Sequence, residues 1–426
     1  MSVVRLSGAV AAGRLRAPPS KSYTHRAMVS GHLAGRRYDI RRPLDSDDTR
    51  ATAQALDRLG TTVHRGSGLW SLRPRHRSES SAPITVDCGE SGTTLRFVAA
   101  LAALESRPVT FQGSGRLPTR PMEALLRALR TLGATVRHGD AGVGLPLTIE
   151  GPIRSGSVAL DVSESSQFAS ALLLVLPTLS GDSRLTLTGR LVSLPYIEAT
   201  LAVLAHHRIR VERRGRVVRI PGGQRYARAA FSVPGDASSA AYFWVAAALT
   251  GGRVRVEGIP AVWPQADTQM LDVLERAGAR VRRTSTGAEV AGGETLKPFR
   301  ADLTDAPDLY PLAGVLAAAI PGRSELRGAP HVALKESDRR AETAGLVAAM
   351  GGKTRIAGGH LEIRGVARPR PFRKRTLSDH RLVMSAAVGA LAARGTSAIG
   401  DGRAVAKSFP EFWTVLAQIA PGGVEA

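Results

Sequence analysis

One sequence pattern recurs along this chain of 426 residues at an almost constant interval. A Leu-rich stretch with helical period ends in a short turn, and a strand-like stretch follows it. Five equivalent points near the ends of these helical stretches are separated by 73, 75, 70 and 73 residues: Leu59, Leu132, His207, Ala277 and Met350. A sixth, shortened copy is predicted at 415–424. Modules of this size cannot bury both faces alone, so we expect six of them to pack as two groups of three.

Each module is predicted to combine helices with short strands. Alternating stretches such as 253–257 (RVRVE) and 185–188 (LTLT) predict strands. A Gly follows the helical stretch in four of the five copies, which is a common stop signal, whereas the copy at His207 lacks it. The alternative is that Leu and Gly recur at this spacing by coincidence. The near-constant register of five copies argues against that alternative.

The composition favours a soluble, cytoplasmic protein with two domains. A chain of this length exceeds the usual size of one hydrophobic core. It contains no stretch of about 18 apolar residues, which a membrane helix requires, and its first residues do not resemble a secretory signal. The single cysteine, Cys88, allows no internal disulfide.

The net charge of +22 is unusual, and it comes almost entirely from arginine, because only six of the 58 basic residues are lysines. Arginine is spread along the chain with few aromatic residues beside it, so a dedicated nucleic-acid surface is not predicted, although it is the main competing interpretation. A basic cleft for anionic metabolites explains the charge equally well. Three of the six lysines, Lys21, Lys335 and Lys407, lie in the motifs described next. A Lys retained in such an Arg-rich chain suggests that the position needs a compact ammonium group or a group that can titrate, and Arg provides neither.

Two motifs in the first half of the chain suit anion recognition. In PPSKSYTHR, Lys21 and Arg26 supply cations, and a helix that starts near Ser22 would add its backbone amides. In DCGESGTTLR, residues 87–96, a Gly-containing run could let backbone amides approach an anion. For both motifs, an ordinary capped helix with solvated charge is an equally good interpretation.

Three further motifs in this half carry polar side chains. Arg120 lies between prolines in LPTRP. Three adjacent polar residues, Ser165, Ser166 and Gln167, open an apolar helix predicted at 168–177. Capping explains only one of the three, so the remaining two indicate recognition of hydroxyl or phosphate groups. Ser193 and Tyr196 form a similar polar pair ahead of a helix.

The second half of the chain carries the ionisable motifs. Asp308 stands at the head of a long apolar segment, where a helix N-cap is the simpler interpretation. In HVALKESDRR, Lys335, Glu336 and Arg339 fall within about one turn, where a solvated helix end is the simpler interpretation. The remaining motifs are SDHR, which contains Arg381, and AKSFP, which contains Lys407.

No metal site and no covalent nucleophile is predicted. His206 and His207 are adjacent and therefore point apart, and no His, Cys or carboxylate residues have ligand spacing. A G-x-S-x-G elbow is absent, and Cys88 has no evident His partner. We therefore expect no metal and no cofactor.

Taken in order along the chain, the motifs resemble the 5-enolpyruvylshikimate-3-phosphate (EPSP) synthase family of enolpyruvyl transferases. The resemblance covers essentially the whole chain and rests on PSKSYTHRA, LDSDDTRA, CGESGTTLR, LPTRPM, SSQFASALLL, LVSLPYIE, VPGDASSAAYF, APDLYP, LKESDR, SDHR and AKSFPEFW. It implies an α/β (α+β) fold, a two-domain inside-out α/β barrel with six βαβαββ repeats, three per domain. The first domain would comprise 1–19 and 235–426, the second 20–234, with the active site in the cleft between them.

The resemblance also implies a reaction of the shikimate pathway of aromatic amino acid biosynthesis. The 5-hydroxyl of shikimate 3-phosphate attacks the central carbon of phosphoenolpyruvate, and the tetrahedral adduct then loses phosphate. This chemistry needs a base for the hydroxyl, an acid for the methylene carbon, and cations for two phosphates and a carboxylate. We expect these small molecules as the partners, with no nucleic acid and no membrane, and a monomer whose domains close on the anionic ligands.

Carried over residue by residue, the resemblance assigns three groups of residues. The catalytic candidates are Asp308 as the base, with Glu336 and Lys21 as candidate acids. The candidate ligands of shikimate 3-phosphate are Lys21, Ser22, Arg26, Ser165, Ser166, Gln167, Ser193, Tyr196, Asp308, His331 and Lys335. The candidate ligands of phosphoenolpyruvate are Lys21, Gly92, Arg120, Gln167, Arg339, Arg381 and Lys407.

Several positions depart from the family's pattern. Glu90 stands where the family often has Asn, while His331 replaces a common Asn and Ala333 a common Arg. These departures leave open a paralogous transferase that acts on another hydroxylated acceptor. A separate alternative is the sister transferase that acts on a UDP-amino sugar, although that enzyme usually carries a Cys-bearing loop and the single cysteine here, Cys88, lies in another motif. The high charge suggests an RNA-binding or RNA-end-modifying protein with a related repeat as a different class of function.

Overall fold

The computed structural model describes residues 3–75, 82–139, 142–375 and 377–425. The chain divides into two compact units, which we call unit 1 (Met1–Pro18 with Gly235–Ala426) and unit 2 (Pro19–Pro234). Unit 1 is thus built from both ends of the chain, whereas unit 2 is one continuous segment. Among the described helices, none combines the length and the apolar character that crossing a membrane requires.

The regular elements follow one another in short alternation. The first stretch of unit 1 contains β1 (Val4–Leu6) and β2 (Ala12–Arg16). Unit 2 contains α1 (Lys21–Leu33), β3 (Tyr38–Arg41), α2 (Asp47–Arg58), β4 (Thr61–Gly66), β5 (Leu69–Pro74), β6 (Ile84–Asp87), α3 (Gly92–Ala102), β7 (Val109–Gln112), α4 (Glu123–Thr131), β8 (Thr135–His138), β9 (Leu147–Glu150), β10 (Ser157–Asp161), α5 (Gln167–Val175), β11 (Ser183–Thr188), α6 (Leu194–His206), β12 (Glu212–Arg214), β13 (Val217–Ile220) and β14 (Ala230–Ser232).

The rest of unit 1 continues the same alternation. It contains α7 (Ala237–Thr250), β15 (Arg253–Glu257), α8 (Gln269–Arg276), β16 (Arg280–Thr284), β17 (Gly287–Ala291), β18 (Arg300–Asp302), α9 (Tyr310–Ala318), β19 (Gly322–Arg327), α10 (Arg339–Ala349), β20 (Lys353–Ala357), β21 (His360–Gly365), β22 (Arg373–Lys374), α11 (His380–Ala392), β23 (Ser397–Ile399), α12 (Phe412–Ile419) and β24 (Val424–Glu425). Short 3-10 turns, such as Pro307–Leu309 and Gly402–Lys407, precede or follow several of these helices.

Among the described residues, the strands form six sheets of four strands each. Every sheet repeats one plan, in which two parallel strands lie side by side and two further strands extend them in antiparallel pairing, as in β6-β7-β9-β8. The other sheets are β14-β3-β5-β4 and β10-β11-β13-β12 in unit 2, and β2-β15-β17-β16, β18-β19-β21-β20 and β22-β23-β1-β24 in unit 1. The predicted six βαβαββ modules, three in each half, are confirmed.

Three almost fully buried helices pack against one another inside each unit. They are α1, α3 and α5 in unit 2, and α7, α9 and α11 in unit 1. Helices that are apolar all round belong in a core, and α7 (ASSAAYFWVAAALT) and α9 (YPLAGVLAA) have this character. The strands alternate buried and exposed residues, as β10 does, so each sheet covers these helices with one face.

Two modules exchange the connections between their first strand and first helix. In the other four, the first strand leads directly into the buried helix of its own module, as β6 leads into α3. By contrast, β2 pairs with β15 in unit 1 but leads into α1 of unit 2. Likewise, β14 pairs with β3 in unit 2 but leads into α7 of unit 1. The chain therefore passes between the units only after completing a strand.

The five equivalent points of the repeat are the C-cap residues of α2, α4, α6, α8 and α10. In four copies the next residue is a Gly with positive φ, which an L side chain adopts only at a cost. The copy at His207 has Arg208 there instead, also with positive φ, at 61°. The copy without Gly therefore ends its helix in the same left-handed conformation as the others, with backbone strain at Arg208.

We expect Arg208→Gly to raise the melting temperature. The substitution removes left-handed strain of roughly 1 kcal/mol, although the greater freedom of Gly in the unfolded chain offsets part of the gain. Gly133→Ala is the matched control, because nothing lies within 4 Å of the added Cβ and only the backbone cost applies. It should lower the melting temperature. A drop for Arg208→Gly with no change for Gly133→Ala would contradict this explanation.

Candidate active site

The candidate residues lie mostly where helices begin. Lys21 is the first residue of α1, Gly92 of α3, Gln167 of α5 and Arg339 of α10, while Ser193 is the N-cap residue of α6. Helix N-termini present unpaired amides and a partial positive charge, which favours anions. Each unit carries its own set of such helix starts.

In unit 2, the Lys21 ammonium group is held by a buried carboxylate. Its Nζ atom lies 2.7 Å from Oδ2 of Asp48, and the side chain of Lys21 is 17% exposed. Asp48 is near the start of α2, within the LDSDDTRA motif, and is almost fully buried. The ion pair fixes a partly accessible cation at the N-terminal end of α1.

Arg26 is fully buried beneath Ser22, one turn further along α1. Its guanidinium group donates to Oγ and the carbonyl oxygen of Ser22, to Oγ1 of Thr200 and to the carbonyl oxygen of Tyr196. Burial lowers the pKa of Arg26 to about 10, which leaves it charged at neutral pH. No carboxylate of the described residues pairs with it, so its positive charge favours an anion near Ser22.

Gly92 is required by the position of Arg120. A Cβ atom on residue 92 would lie 2.7 Å from Cζ and Nη1 of Arg120, so only Gly lets this guanidinium group lie across the start of α3. Ser91 caps α3 by accepting a hydrogen bond from the amide of Thr94, so the helix-cap interpretation of this motif is correct for that residue. The capping and the close approach of a cation occur together.

Gln167 is fixed by two residues of the neighbouring module. Its Oε1 atom accepts from Nη1 of Arg96 at 2.6 Å, and its Nε2 atom donates to Oγ1 of Thr93 at 2.9 Å. Arg96 also donates to the carbonyl oxygen of Pro121, next to Arg120. The amide group therefore links the start of α5 to the start of α3 and to the LPTRP turn.

The hydroxyl residues occupy the turns before α5 and α6. Ser166 is the N-cap residue of α5 without a side-chain cap bond, while Ser165 accepts a hydrogen bond from the amide of Gln167. The helix itself spans Gln167–Val175, slightly earlier than predicted. Ser193 is buried with a φ of 55°, a left-handed conformation that is uncommon for Ser, and Tyr196 follows in the first turn of α6.

In unit 1, the buried guanidinium group of Arg339 binds three carboxylates. Nη1 donates to Asp308 at 2.7 Å, Nη2 to Glu336 at 2.8 Å, and Nε to Asp379 at 2.8 Å. The side chain of Arg339 is only 1% exposed. The interpretation of KESDRR as a solvated helix end is therefore wrong, because partners distant in sequence bury its Arg.

Asp308 bridges two guanidinium groups. Its second oxygen accepts from Nη2 of Arg381 at 3.0 Å. Burial raises the pKa of Asp308, but Arg381, Arg339 and Lys335 outweigh it and hold the pKa well below the ordinary value. Asp308 makes no side-chain cap bond; it lies in the 3-10 turn Pro307–Leu309 before α9. The helix N-cap interpretation is wrong, since the carboxylate points to the two arginines instead.

The remaining candidates of unit 1 lie in turns near these helices. His331 is buried in the 3-10 turn Pro330–Leu334, and Lys335 is the residue that ends this turn. Lys407 is 8% exposed at the end of the 3-10 turn Gly402–Lys407. In unit 2, the departure at Glu90 places an exposed carboxylate beside Gly115.

Three residues that position the candidates, and one further buried acid, were not predicted from the sequence. Asp48 and Arg96 stand inside LDSDDTRA and CGESGTTLR, and Asp379 stands inside SDHR. Asp379 is completely buried, caps α11 by accepting from the amide of Arg381, and also accepts from Arg339. Asp267 gave no signal in the sequence beyond an acid near a helix start.

Asp267 is a buried acid in the same electrostatic cluster. Burial and the charge of Asp308 raise its pKa to about 7, against the opposing effect of Arg381. Ser238 donates a hydrogen bond to its carboxyl group. Within the described ranges, no three His, Cys, Asp or Glu side chains are grouped so as to hold a metal ion.

Comparison with known proteins identifies relatives along nearly the whole chain. The profile of the family described as EPSP synthase (3-phosphoshikimate 1-carboxyvinyltransferase) matches residues 7–416. A 3-phosphoshikimate 1-carboxyvinyltransferase of Thermococcus kodakarensis is 42% identical over 96% of this chain and 97% of its own. One from Halobacterium salinarum is 38% identical over 95% and 96%. An EPSP synthase structure from Acinetobacter baumannii has a TM-score of 0.81 at 25% identity and covers 99% of both chains.

The raised pKa of Asp267 predicts a pH-dependent effect on stability. The folded state holds the proton up to about pH 7, while an unfolded Asp loses it near 3.8. Its stabilising contribution is therefore complete below about pH 4 and is lost as the pH rises towards 7. Asp267→Asn mimics the protonated acid at every pH, so it should be more stable than the wild type at pH 8.

Urea unfolding at pH 5 and pH 8 measures this effect. The gain of Asp267→Asn over the wild type should be larger at pH 8 than at pH 5. Asp272→Asn removes an exposed carboxylate of α8 that pairs with Arg283, and should change stability little at either pH. Equal gains for Asp267→Asn at both values would show that its titration does not affect folding.

Proposed function

Since this chain belongs to the EPSP synthase (3-phosphoshikimate 1-carboxyvinyltransferase) family, we propose that it transfers the carboxyvinyl group of phosphoenolpyruvate to the 5-hydroxyl of shikimate 3-phosphate and releases phosphate. The resemblance of the ordered motifs to this family is confirmed by the match over residues 7–416. The observation on the molecule itself that best supports the reaction is the carboxylate of Asp308, held between Arg339 and Arg381. It joins a base to the cations that an anionic substrate requires.

In unit 1 we assign the acid–base groups and part of the anion clamp. Asp308 takes the proton of the attacking hydroxyl, and Glu336, together with Lys21 of unit 2, is a candidate acid for the methylene carbon. Arg339, Arg381 and Lys407 bind phosphoenolpyruvate, while Lys335 and His331 bind shikimate 3-phosphate. The buried charges of Arg339 and Arg381 support this role, because burial strengthens their interaction with a phosphate or carboxylate.

In unit 2 we assign most of the ligands of shikimate 3-phosphate. Ser22, with the charge of Arg26 behind it, would bind the phosphate at the start of α1. The other hydroxyl and amide ligands are Ser165, Ser166, Gln167, Ser193 and Tyr196. Lys21, Gly92 and Arg120 would contact phosphoenolpyruvate, with Gln167 shared.

The proposal requires both sets of residues to serve one pair of substrates. Cations repel one another without an anion among them, so we propose that binding of the two phosphorylated substrates favours closure of the two domains. We further propose that the enzyme acts as a cytoplasmic monomer, without a cofactor or a nucleic-acid partner.

The direct test is phosphate release. The protein is mixed with phosphoenolpyruvate and shikimate 3-phosphate, and inorganic phosphate is measured over time. Unphosphorylated shikimate and UDP-N-acetylglucosamine are tested as competing acceptors, because Glu90 and Ala333 depart from the family's pattern. Release that requires shikimate 3-phosphate supports the proposal. Release only with another acceptor, or with none, would overturn it.

Asp308→Ala tests the assignment of Asp308 as the base. It should lower kcat by about 10²–10⁴-fold, because it removes the base. Asp272→Ala, which removes an exposed acid of α8, should leave kcat unchanged. A mild loss for Asp308→Ala would assign the base to another residue.

Gly92→Ala should weaken binding of phosphoenolpyruvate selectively. The new Cβ atom would lie 2.7 Å from the guanidinium group of Arg120 and must displace it. We expect KM for phosphoenolpyruvate to rise roughly tenfold or more, with a much smaller change in KM for shikimate 3-phosphate. Gly133→Ala, whose Cβ meets no atom within 4 Å, should leave both KM values unchanged. Equal KM values for Gly92→Ala and wild type would refute this placement of Arg120.

A further inference from the structure

A chain of buried hydrogen bonds joins the first three helices of unit 2. Nδ1 of His25 in α1 lies 2.8 Å from Oγ1 of Thr52 in α2, which lies 2.7 Å from Oγ1 of Thr94 in α3. From Thr94 the chain continues to Oγ of Ser91 at 2.7 Å and to the carbonyl oxygen of Asp48 at 3.2 Å. All five residues are buried, and Thr52 and Thr94 are buried completely. These polar groups therefore satisfy one another inside a packed core, where an unpaired hydroxyl group would be costly.

The available protons fix the direction of this chain. A carbonyl oxygen only accepts, so the bond to Asp48 requires the single hydroxyl proton of Thr94 to point away from Thr52. Thr52 must then donate to Thr94, and Nδ1–H of His25 must donate to Thr52. Burial lowers the pKa of His25 to about 3, against the opposing charge of Asp48, so the ring is neutral. Among the described residues, Nε2 of His25 has no hydrogen-bond partner, which suits a ring nitrogen without a proton.

The chain ends at two residues next to proposed ligands of phosphoenolpyruvate. Asp48, whose carbonyl oxygen accepts from Thr94, also holds Nζ of Lys21 with its carboxylate at 2.7 Å. Ser91, whose hydroxyl oxygen accepts from Thr94, directly precedes Gly92, the first residue of α3. One buried hydroxyl group thus joins the residue that holds the ammonium group of α1 to the start of α3.

The N-cap of α3 cannot replace this link. Ser91 accepts from the amide of Thr94 at 3.2 Å, a bond that shapes the first turn of α3 but does not fix where the helix lies relative to α2. The bonds from Oγ1 of Thr94 to Thr52 and Asp48 run to α2 instead. Apolar packing also holds α2 against α1 and α3, but it is not directional. The hydroxyl group of Thr94 therefore adds a directional constraint between these helices.

We propose that Thr94 is a positioning residue that sets the distance between the ammonium group of Lys21 and the start of α3, and thereby the fit of phosphoenolpyruvate against both. The inference rests on the proposed function, because it needs phosphoenolpyruvate to contact Lys21 and Arg120. Thr94 acts only through Asp48 and Ser91 and does not itself contact the substrate. A shift of about 1 Å in a binding group can lower activity by about 100-fold, so a supporting hydroxyl group of this kind has a measurable effect.

Steady-state kinetics of Thr94→Val test the proposal. Val keeps the branched side chain while it removes the hydroxyl group, and the amide of residue 94 can still donate to Ser91. We expect KM for phosphoenolpyruvate to rise about tenfold, KM for shikimate 3-phosphate to change less than about twofold, and kcat to fall less than KM rises. The effect should be selective because Ser22 and Arg26, which are proposed to bind the phosphate of shikimate 3-phosphate, both lie on α1.

Three further variants separate positioning from stability. Thr94→Ser retains the hydroxyl group and should restore KM for phosphoenolpyruvate to near the wild-type value. Thr52→Val removes the next hydroxyl group of the chain and should raise the same KM by a smaller factor, because Thr94 keeps its other two bonds. Thr110→Val is the matched control, since it breaks a bond of 2.9 Å to Thr148 between β7 and β9. It should leave both KM values unchanged even where it lowers the melting temperature.

The possible results are distinguishable. A rise in KM for phosphoenolpyruvate that Thr94→Ser reverses supports the inference. Equal changes in both KM values, a lower melting temperature with unchanged KM values, or an equal rise for Thr110→Val overturns it and leaves the proposed function intact. If Thr94→Val does not fold, Thr52→Val takes its place, and an unchanged KM for phosphoenolpyruvate in that variant overturns the inference. A wild-type protein that releases no phosphate with both substrates present refutes the proposed function, and this inference with it.

Discussion

A single buried cation, the guanidinium group of Arg339, joins the N-terminal ends of three helices in unit 1. Arg339 begins α10, Asp308 precedes α9, and Asp379 caps α11. A buried charge is strongly destabilising unless it is paired and hydrogen-bonded, so the three helix ends must keep their carboxylates near it. Asp379 also accepts a hydrogen bond from the backbone amide of Arg381. The same requirement therefore brings Arg381 close to Asp308, to which its guanidinium group donates. The stability of this unit and its proposed chemistry thus depend on the same ions.

The repeated module explains why both units offer similar places for chemistry. Each module directs its buried helix so that the first turn emerges at the end of the parallel strands, and these turns carry Lys21, Gly92 and Gln167 in unit 2. A helix start favours anions through its amides whichever side chains stand there. The modules could therefore diverge in side chains while retaining a common preference for phosphate and carboxylate groups. Exchange of one hydroxyl, amide or guanidinium group then sets which anion is bound.

Much of the fold could be predicted from the sequence, because helix ends and strand alternation are local signals. The equivalent points of the repeat are all C-cap residues, and even the copy without Gly keeps a left-handed residue at Arg208. The ordered motifs identified the family and most candidate residues. The local interpretations failed at Asp308 and Arg339, because their partners lie 31 and 40 positions away and no local pattern reveals them. Asp267 escaped notice for the same reason: Asp308 and Arg381, whose charges act on it, belong to other modules.

Unit 1 cannot be completed during synthesis until the partner strands of β1 and β2 have been made. β1 and β2 contribute to two different sheets, yet their partners β15, β23 and β24 all follow residue 250. Unit 2 is continuous and can fold while the chain is still growing. Until then, the two early strands remain unpaired on the growing chain, and their exposed edges can pair with other chains. Their short length, and arginines at residues 5, 14 and 16, limit that risk until the partner strands have been made.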